Sequence, residues 1–171
     1  IEFNGWIKDQ LICQVEGLFG NLDKVWKDVR DSKWLGGDEE GWERFPYYLN
    51  GLIPLAYALK SDELLDKANK YIDIVISCQK EDGRICPPND TDAFSNDLWS
   101  MFLILKVLTI YAEVSEDSKA DEVILKGLQY INKSINSNQQ QMGQCASICS
   151  PSSTQNKNEV RVDISNPPSK T

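Results

Sequence analysis

Acidic and aromatic side chains crowd into one short segment of the chain, residues 34–50. Three carboxylates stand next to one another, a fourth follows after two residues, and glycines and aromatic residues surround them. Sugar sites need carboxylates and amides to hydrogen-bond hydroxyls and aromatic faces to stack on C–H surfaces, and a carboxylate pair can act as general acid and base. The candidate sugar-contacting residues of this segment are Asp38, Glu39, Glu40, Trp42, Glu43, Tyr47, Tyr48 and Asn50.

A simpler interpretation of the same segment is a solvated acidic turn whose aromatic side chains fill the core. Residue types alone favour this interpretation, because charged side chains are usually solvated and large apolar ones are usually buried. The functional interpretation therefore depends on what the helices place beside the segment.

A second segment, residues 79–99, also leads into an apolar stretch. Asp82-Gly83 marks a tight turn, and Asp97 or Asn96 could cap the helix that follows. Capping is the ordinary role of Asp97 when it is considered alone. We add Asp97 and Trp99 to the candidate sugar-contacting residues because the expected helix arrangement, described below, places this segment beside the first one.

Charge and composition exclude several other classes of function. The chain has 18 basic and 26 acidic residues and a net charge of −8, with no basic cluster for a phosphate backbone, so nucleic acid is not an expected partner. The longest apolar stretch, residues 101–105, is far shorter than the ~20 residues of a membrane span. The chain contains no His, which excludes a His-based triad, a His zinc ligand and a His general base.

The five cysteines do not form a metal-binding pattern, and we assign no metal and no cofactor. Cys13 and Cys78 fall within or at the end of expected helices, where a small core residue is the simplest role. Cys145 and Cys149 provide two thiols without a His, which makes a zinc site improbable there. Cys86 has no partner in a CxxC motif.

Apolar residues recur with helical spacing in five segments, which predicts an all-α protein. Segments one, three and five are amphipathic, whereas two and four are apolar on almost every side and should be enclosed by other helices. Ser61 is the expected N-cap of the third helix, and Pro54 is expected near the start of the second. The five segments lie near residues 7–19, 49–59, 62–76, 98–114 and 123–135.

The alternation of buried and amphipathic helices predicts repeated helical hairpins in an inner and an outer layer, as in a solenoid or toroid. Inner helices of such a ring all run the same way, so the loops that enter them share one rim. The segments around residues 34–50 and 79–99 should therefore be neighbours, with a ligand site between them. A closed ring of such hairpins needs roughly 300 residues, whereas this chain holds two hairpins and a leading helix, so we expect a fragment of a larger domain over residues 1–136.

Residues 137–171 are rich in Ser, Asn, Gln and Pro. Such a composition buries too little apolar surface to offset the entropy lost on ordering. We therefore expect a disordered or aberrant tail here.

Four motifs appear in order along the chain: GWIKDQL at 5–11, GLFGNLD at 17–23, WLGGD at 34–38 and GWERFPYYLNGL at 41–52. Asp82-Gly83, Asp97-Leu98-Trp99 and Met101 follow them. In this order they resemble the N-terminal part of the beta-L-arabinofuranosidase-like glycoside hydrolases, family 127, over about residues 5–136, and the likeness ends at Ser137. It is closer to the less characterised branch of the family than to the studied arabinofuranosidases, which carry His where this chain has none.

The resemblance implies part of an (α/α)6 toroid, of the six-hairpin glycosidase type, and hydrolysis of a glycosidic bond with retention. It also implies a carbohydrate substrate. In characterised members of the family a Cys nucleophile is held by a zinc site of Cys and Glu, and these residues lie beyond the matched region. This chain by itself is therefore expected to be inactive.

Two other interpretations remain open. A non-catalytic helical-repeat or carbohydrate-binding scaffold would use the same rim to bind a partner. Another toroid enzyme, such as a polysaccharide lyase, a sugar epimerase or an unsaturated uronyl hydrolase, fits less well because such enzymes usually rely on His. The fourth helix lacks the next hairpin of the ring on one side, so apolar side chains should be exposed there. We therefore expect self-association.

Overall fold

A computed structural model describes residues 2–90, 98–115 and 117–148, with side-chain surroundings up to residue 137. Within these residues the chain is helical and contains no strand, only two isolated β-bridges, which confirms the all-α prediction. Short 3-10 turns cover Phe19–Asn21 and Lys33–Leu35. The helices are α1 Trp6–Glu16, α2 Leu22–Val25, α3 Lys27–Arg30, α4 Arg44–Leu59, α5 Asp62–Ser77, α6 Trp99–Ser115 and α7 Lys119–Ile148.

Helix α4 is the centre of the fold and is longer than its apolar pattern indicates. It begins at Arg44 rather than near Leu49, so Pro54 lies in the interior of the helix and not near its start. The expectation for Pro54 was wrong because the helix start is set by a carboxylate that caps it, not by apolar spacing. Since Pro54 has no N–H, the Asn50 carbonyl lacks its usual donor four residues later. The buried residues of α4 are Phe45, Pro46, Tyr48, Leu49, Leu52, Ile53, Leu55 and Ala56.

Helices α4 and α5 form the expected hairpin. Lys60 ends α4 in the left-handed region, with φ of 53°, and Ser61 occupies the N-cap position of α5 as the sequence predicts. The Ser61 side chain makes no capping hydrogen bond, so Asp62 and Glu63 in the first turn carry the favourable interaction with the helix dipole. The buried stripe of α5 is Leu64, Ala68, Ile72 and Val75.

Helix α6 makes the most extensive helix contact of the structure, against α4. It buries one broad face, and Phe102 and Val114 are exposed on the other, so neighbours enclose only part of this helix and it has the exposed apolar flank that was expected for this chain. Helix α7 packs across α6 at Gly127, where a Cβ atom would come within 2.8 Å of the Leu105 side chain. The close approach needs a residue without a side chain at that point.

Helix α1 packs loosely on this core. Its apolar stripe is real, since Leu11, Ile12 and Val15 are half-buried, but no residue of the helix is fully buried. Trp6 keeps 74% of its surface exposed, and Cys13 is exposed rather than in the core. Cys13 was predicted to be buried because its own helix is amphipathic, but the side of α1 that carries it has no packing partner.

A charged pair fixes the leading segment to the main hairpin. The Lys67 ammonium of α5 lies 3.0 Å from the Asp23 carboxylate of α2 and also donates to the Gly20 carbonyl. The Tyr71 hydroxyl donates to the same carboxylate at 3.0 Å. Both charged side chains are more than four-fifths buried, so the pair is shielded from the solvent screening that weakens surface ion pairs.

The described residues up to 136 form one compact unit, and those after 136 belong to a second. The backbone of α7 remains helical to Ile148, twelve residues past the point where a disordered tail was expected to begin. Gln, Met and Ala in this stretch have a high helix propensity, and the prediction of disorder, which was based on polar composition, did not take it into account. Residues 149–171 lie outside the described part of the chain. No described helix is long and apolar enough to cross a membrane.

Replacing Asp23 by Asn should destabilise the fold, because Lys67 is left buried without a counter-charge. Loss of one partner of a buried pair costs about 3 kcal/mol, so urea unfolding followed by circular dichroism should show that decrease in the free energy of unfolding. Lys126→Met is the matched control, since it breaks the exposed Glu122–Lys126 pair and should cost less than about 0.5 kcal/mol. Equal effects of the two substitutions would contradict the proposed role of the Asp23–Lys67 pair.

Candidate functional site

Buried Ser32 fixes the acidic segment to the body of the protein. Its hydroxyl donates to the Glu40 carbonyl at 2.8 Å, and its carbonyl accepts the Gly37 N–H at 3.0 Å. A Cβ atom at Gly37 would collide with the Asp31 carbonyl oxygen, so only glycine fits this close turn. Fully buried Trp34 fills the core beneath it. The Ser32 hydroxyl and carbonyl therefore hold the loop at Glu40 and Gly37.

Glu40 caps the start of α4. One of its carboxylate oxygens accepts the Glu43 N–H at 2.8 Å and the other accepts the Arg44 N–H at 3.2 Å. These N–H groups have no partner within the helix, and a negative charge at a helix N-terminus is also stabilised by the helix dipole. The structure therefore gives Glu40 a structural role, whatever else it contacts.

Glu43 connects the two candidate segments. Its carboxylate accepts the indole N–H of Trp99 at 2.8 Å, across 56 positions of sequence. The N-terminal ends of α4 and α6 therefore meet, and because these helices also pack along their lengths they run in the same direction. The prediction that the two loops are neighbours is confirmed at this contact. Asp97, the other candidate of the second segment, lies outside the described residues.

A cavity of about 200 Å³ opens beside this contact. Its wall includes Trp42, which is 39% exposed, and the capping residue Glu40. A Cβ at Gly41 would lie 2.8 Å from the Lys33 side chain, so glycine here keeps the cavity open. The lining residues are Lys33, Glu40, Gly41, Trp42, Pro87, Asp90 and Ser100.

Lys33, Asp90 and Ser100 line the cavity but were not among the candidates from the sequence. Each lies within a few positions of a candidate segment, which is the only signal that the sequence offers for them. Asp90 is held at 3.4 Å by the guanidinium of Arg84, so its carboxylate is oriented before any ligand arrives. The residues that line the cavity thus include one Trp, one Lys, one Ser and two acidic residues, and most of the lining surface is apolar.

The remaining candidates of the first segment lie in different places. Asp38 and Glu39 border a separate open depression beside Arg30 and Asp31, and the Glu39 carboxylate lies 3.8 Å from the Lys27 ammonium. Tyr47 is exposed and follows Glu43 by one helical turn, so the two share a face of α4.

Tyr48 cannot contact a ligand, because it is buried in the core between Phe19 and Tyr71, with ring centroids 5.5 and 6.3 Å away. Burial raises the pKa of Tyr48, and the nearby Asp23 charge raises it further. The Tyr48 hydroxyl and the Asn50 side-chain oxygen are both buried without a hydrogen-bond partner among the described residues. Here the simpler interpretation, an aromatic side chain that fills the core, is correct for Tyr48.

Comparisons with known proteins do not assign this site. No protein-family model, no curated protein and no solved structure matches the chain. Within the described residues, no group of three or more Cys, Asp or Glu side chains is placed to hold a metal ion. The functional conclusion therefore depends on the chemistry of the cavity and its rim.

Glu40→Ala should lower the stability of the protein by about 1 kcal/mol, the usual cost of losing a helix cap. Thermal and urea unfolding measure this cost directly. Asp38→Ala removes an exposed carboxylate two positions away and should change stability by less than about 0.5 kcal/mol. If both variants are as stable as the original protein, Glu40 does not hold the start of α4.

Proposed function

We propose that the chain is part of a carbohydrate-active glycoside hydrolase and that the cavity beside Trp42 binds a sugar ring. The observation that carries the proposal is a partly exposed indole in the wall of a mostly apolar cavity, near a carboxylate that already holds a second indole. Sugar rings present C–H faces that stack on aromatic rings and hydroxyls that need both donors and acceptors. Trp42 offers the aromatic ring, and Lys33, Asp90 and Ser100 are the lining residues with polar groups that could reach such hydroxyls.

The size of the cavity supports a small ligand. Its volume of about 200 Å³ is below the roughly 300–1,000 Å³ of pockets for drug-sized molecules, and one monosaccharide unit suits it better than a longer glycan. The exposed rings of Tyr47 and Trp99 lie at the ends of α4 and α6 near the same rim. They offer stacking surfaces for neighbouring sugar units outside the cavity.

The (α/α)6 toroid is the architecture that we propose for the complete fold. Helices α4 and α6 run in the same direction side by side, as the inner helices of such a ring do. Helix α5 returns after α4 and α7 returns after α6, which gives the outer layer. The exposed apolar residues of α1 and α6 are the surfaces on which further hairpins would pack.

The carboxylates of the site argue for binding rather than for catalysis by these residues. Glu40 is engaged by two backbone N–H groups and Glu43 by the Trp99 indole. A general acid and a general base need carboxylates that face the scissile bond. The resemblance to family 127 places the nucleophilic Cys and the zinc ligands beyond residue 136, and the described residues do not offer a zinc site.

The same observation favours a second candidate function, a non-catalytic carbohydrate-binding scaffold. Such a protein would use the Trp42 cavity to hold a sugar without cleaving it. Both candidates require sugar binding at Trp42, and they differ in hydrolysis. Aryl-glycoside assays on the complete parent protein separate them, since turnover supports the hydrolase and binding without turnover supports the scaffold.

Trp42→Ala should weaken sugar binding at least tenfold, because stacking on the indole is lost; loss of one favourable contact of about 1.4 kcal/mol has this effect. Saturation-transfer NMR against a panel of methyl glycosides, including arabinofuranosides, identifies the ligand, and titration gives its affinity. Trp6→Ala is the matched control, since Trp6 is the more exposed indole and lies on α1, outside the cavity. Failure of every glycoside to bind the original protein, or equal loss in both variants, would contradict the proposal.

Self-association through exposed apolar faces is the partner interaction that we propose for this chain. Leu125, Leu128 and Ile135 lie on one exposed face of α7, and each keeps more than two-fifths of its surface in solvent. Exposed apolar stripes promote association, which the net charge of −8 opposes.

Sedimentation velocity over a concentration series should show the average mass increasing, more strongly at high salt, where charge repulsion is screened. Leu125→Ser combined with Leu128→Ser should reduce this increase with little effect on stability, since both side chains are exposed. A monomer at all concentrations and salts would show that the faces remain solvated.

A further inference from the structure

Two buried cysteines lie opposite each other where the chain leaves α5. Cys78 follows the last residue of α5, and Cys86 lies eight positions later, after a turn that Gly83 makes with φ of 95°. Gln79 and Ile85 form an antiparallel bridge, and the Lys80 N–H donates to the Arg84 carbonyl at 2.8 Å. One residue before Gln79 and one residue after Ile85, the antiparallel register of this bridge brings Cys78 opposite Cys86.

This register gives the two cysteines a separation that suits a disulfide. Residues opposite each other beside such a bridge have Cα atoms about 4.5–5.5 Å apart. Disulfides span Cα separations of about 4.4–6.8 Å. Both thiols are free, and their residues are 3% and 5% exposed, so they face the same protein interior.

The surroundings of the two thiols differ. Burial raises the pKa of Cys78 to about 11, and the charge of Cys86 raises it further, which itself requires the two side chains to be close. Arg84 is two positions from Cys86; burial lowers the pKa of its guanidinium, but the nearby Cys86 and Asp90 raise it above the usual value. The thiolate is the nucleophile in thiol–disulfide exchange.

We propose that Cys78 and Cys86 are a redox pair that closes to an intramolecular disulfide by exchange with a small-molecule disulfide such as oxidised glutathione. The Cys86 thiolate attacks one glutathione sulfur, which forms a mixed disulfide and releases one glutathione thiolate. The Cys78 thiolate then attacks the Cys86 sulfur and releases the second. The two protons of the cysteines end on the two glutathione thiols, so the pair loses two electrons and oxidised glutathione gains them.

The pair is linked to the cavity through its neighbours in sequence. Pro87, the residue after Cys86, forms part of the cavity wall, and Arg84 holds Asp90 of the same wall. A bond from Cys86 to Cys78 fixes the loop that ends at Pro87. This inference depends on the register of the loop and not on whether the cavity binds sugar.

The test uses the full chain with the other three cysteines replaced, Cys13→Ser, Cys145→Ser and Cys149→Ser. The folded protein is equilibrated with mixtures of reduced and oxidised glutathione, the free thiols are blocked, and the chain is cut with trypsin. Cleavage after Lys80 and Arg84 separates the two cysteines, so the disulfide links peptide 71–80 to peptide 85–106. We expect this linked pair, lost again on addition of a reducing agent.

The same equilibrium measured in concentrated urea shows whether the fold itself favours the bond. We expect the native protein to close the disulfide at least about tenfold more favourably than the unfolded chain, because the register holds the cysteines opposite each other. Circular dichroism confirms that the variant is folded. Equal closure in both states, or a native protein that carries only glutathione adducts or free thiols, would overturn the proposal.

Discussion

Helix α4 carries apolar side chains on nearly every side, and water reaches few of them once α5 and α6 pack against it. Enclosing such a helix requires neighbours on several sides, and this requirement orders the rest of the fold. The ion pair of Asp23 with Lys67 brings the leading segment onto the hairpin, and Trp34 fills the core beneath the acidic loop. The position of the candidate site follows, because it lies where α4 begins.

The carboxylates of the acidic loop have different roles. Glu40 satisfies the first N–H groups of α4, Glu43 holds the Trp99 indole, and Asp38 and Glu39 face a separate depression. A helix start that is buried on one side needs such partners for its N–H groups, since an unpaired buried donor is costly. The carboxylates of Glu40 and Glu43 are therefore engaged, and the other polar residues that line the cavity are Lys33, Asp90 and Ser100.

The loop from Cys78 to Asp90 links two properties of the molecule. Its turn brings two thiols together, and its later residues form one wall of the cavity. Between the two parts of this loop, the Arg84 guanidinium pairs with the Asp90 carboxylate of the cavity wall at 3.4 Å. Packing of Gly83 against the α7 backbone at Lys126 leaves this loop little freedom to move as a whole.

The periodicity of apolar residues and the residues typical of helix ends predicted the helices α1, α4, α5, α6 and α7. They also predicted the hairpin of α4 with α5 and the adjacency of the two candidate loops. These features are local, or follow from burial repeated every three to four residues. Tertiary structure alone decided that Tyr48 is buried, that Glu40 caps a helix, that Lys33 and Asp90 share a cavity and that Cys78 lies opposite Cys86. A hydrogen bond or a cavity wall depends on which atoms meet in space, and residue spacing along one helix carries no information about the partner that another segment supplies.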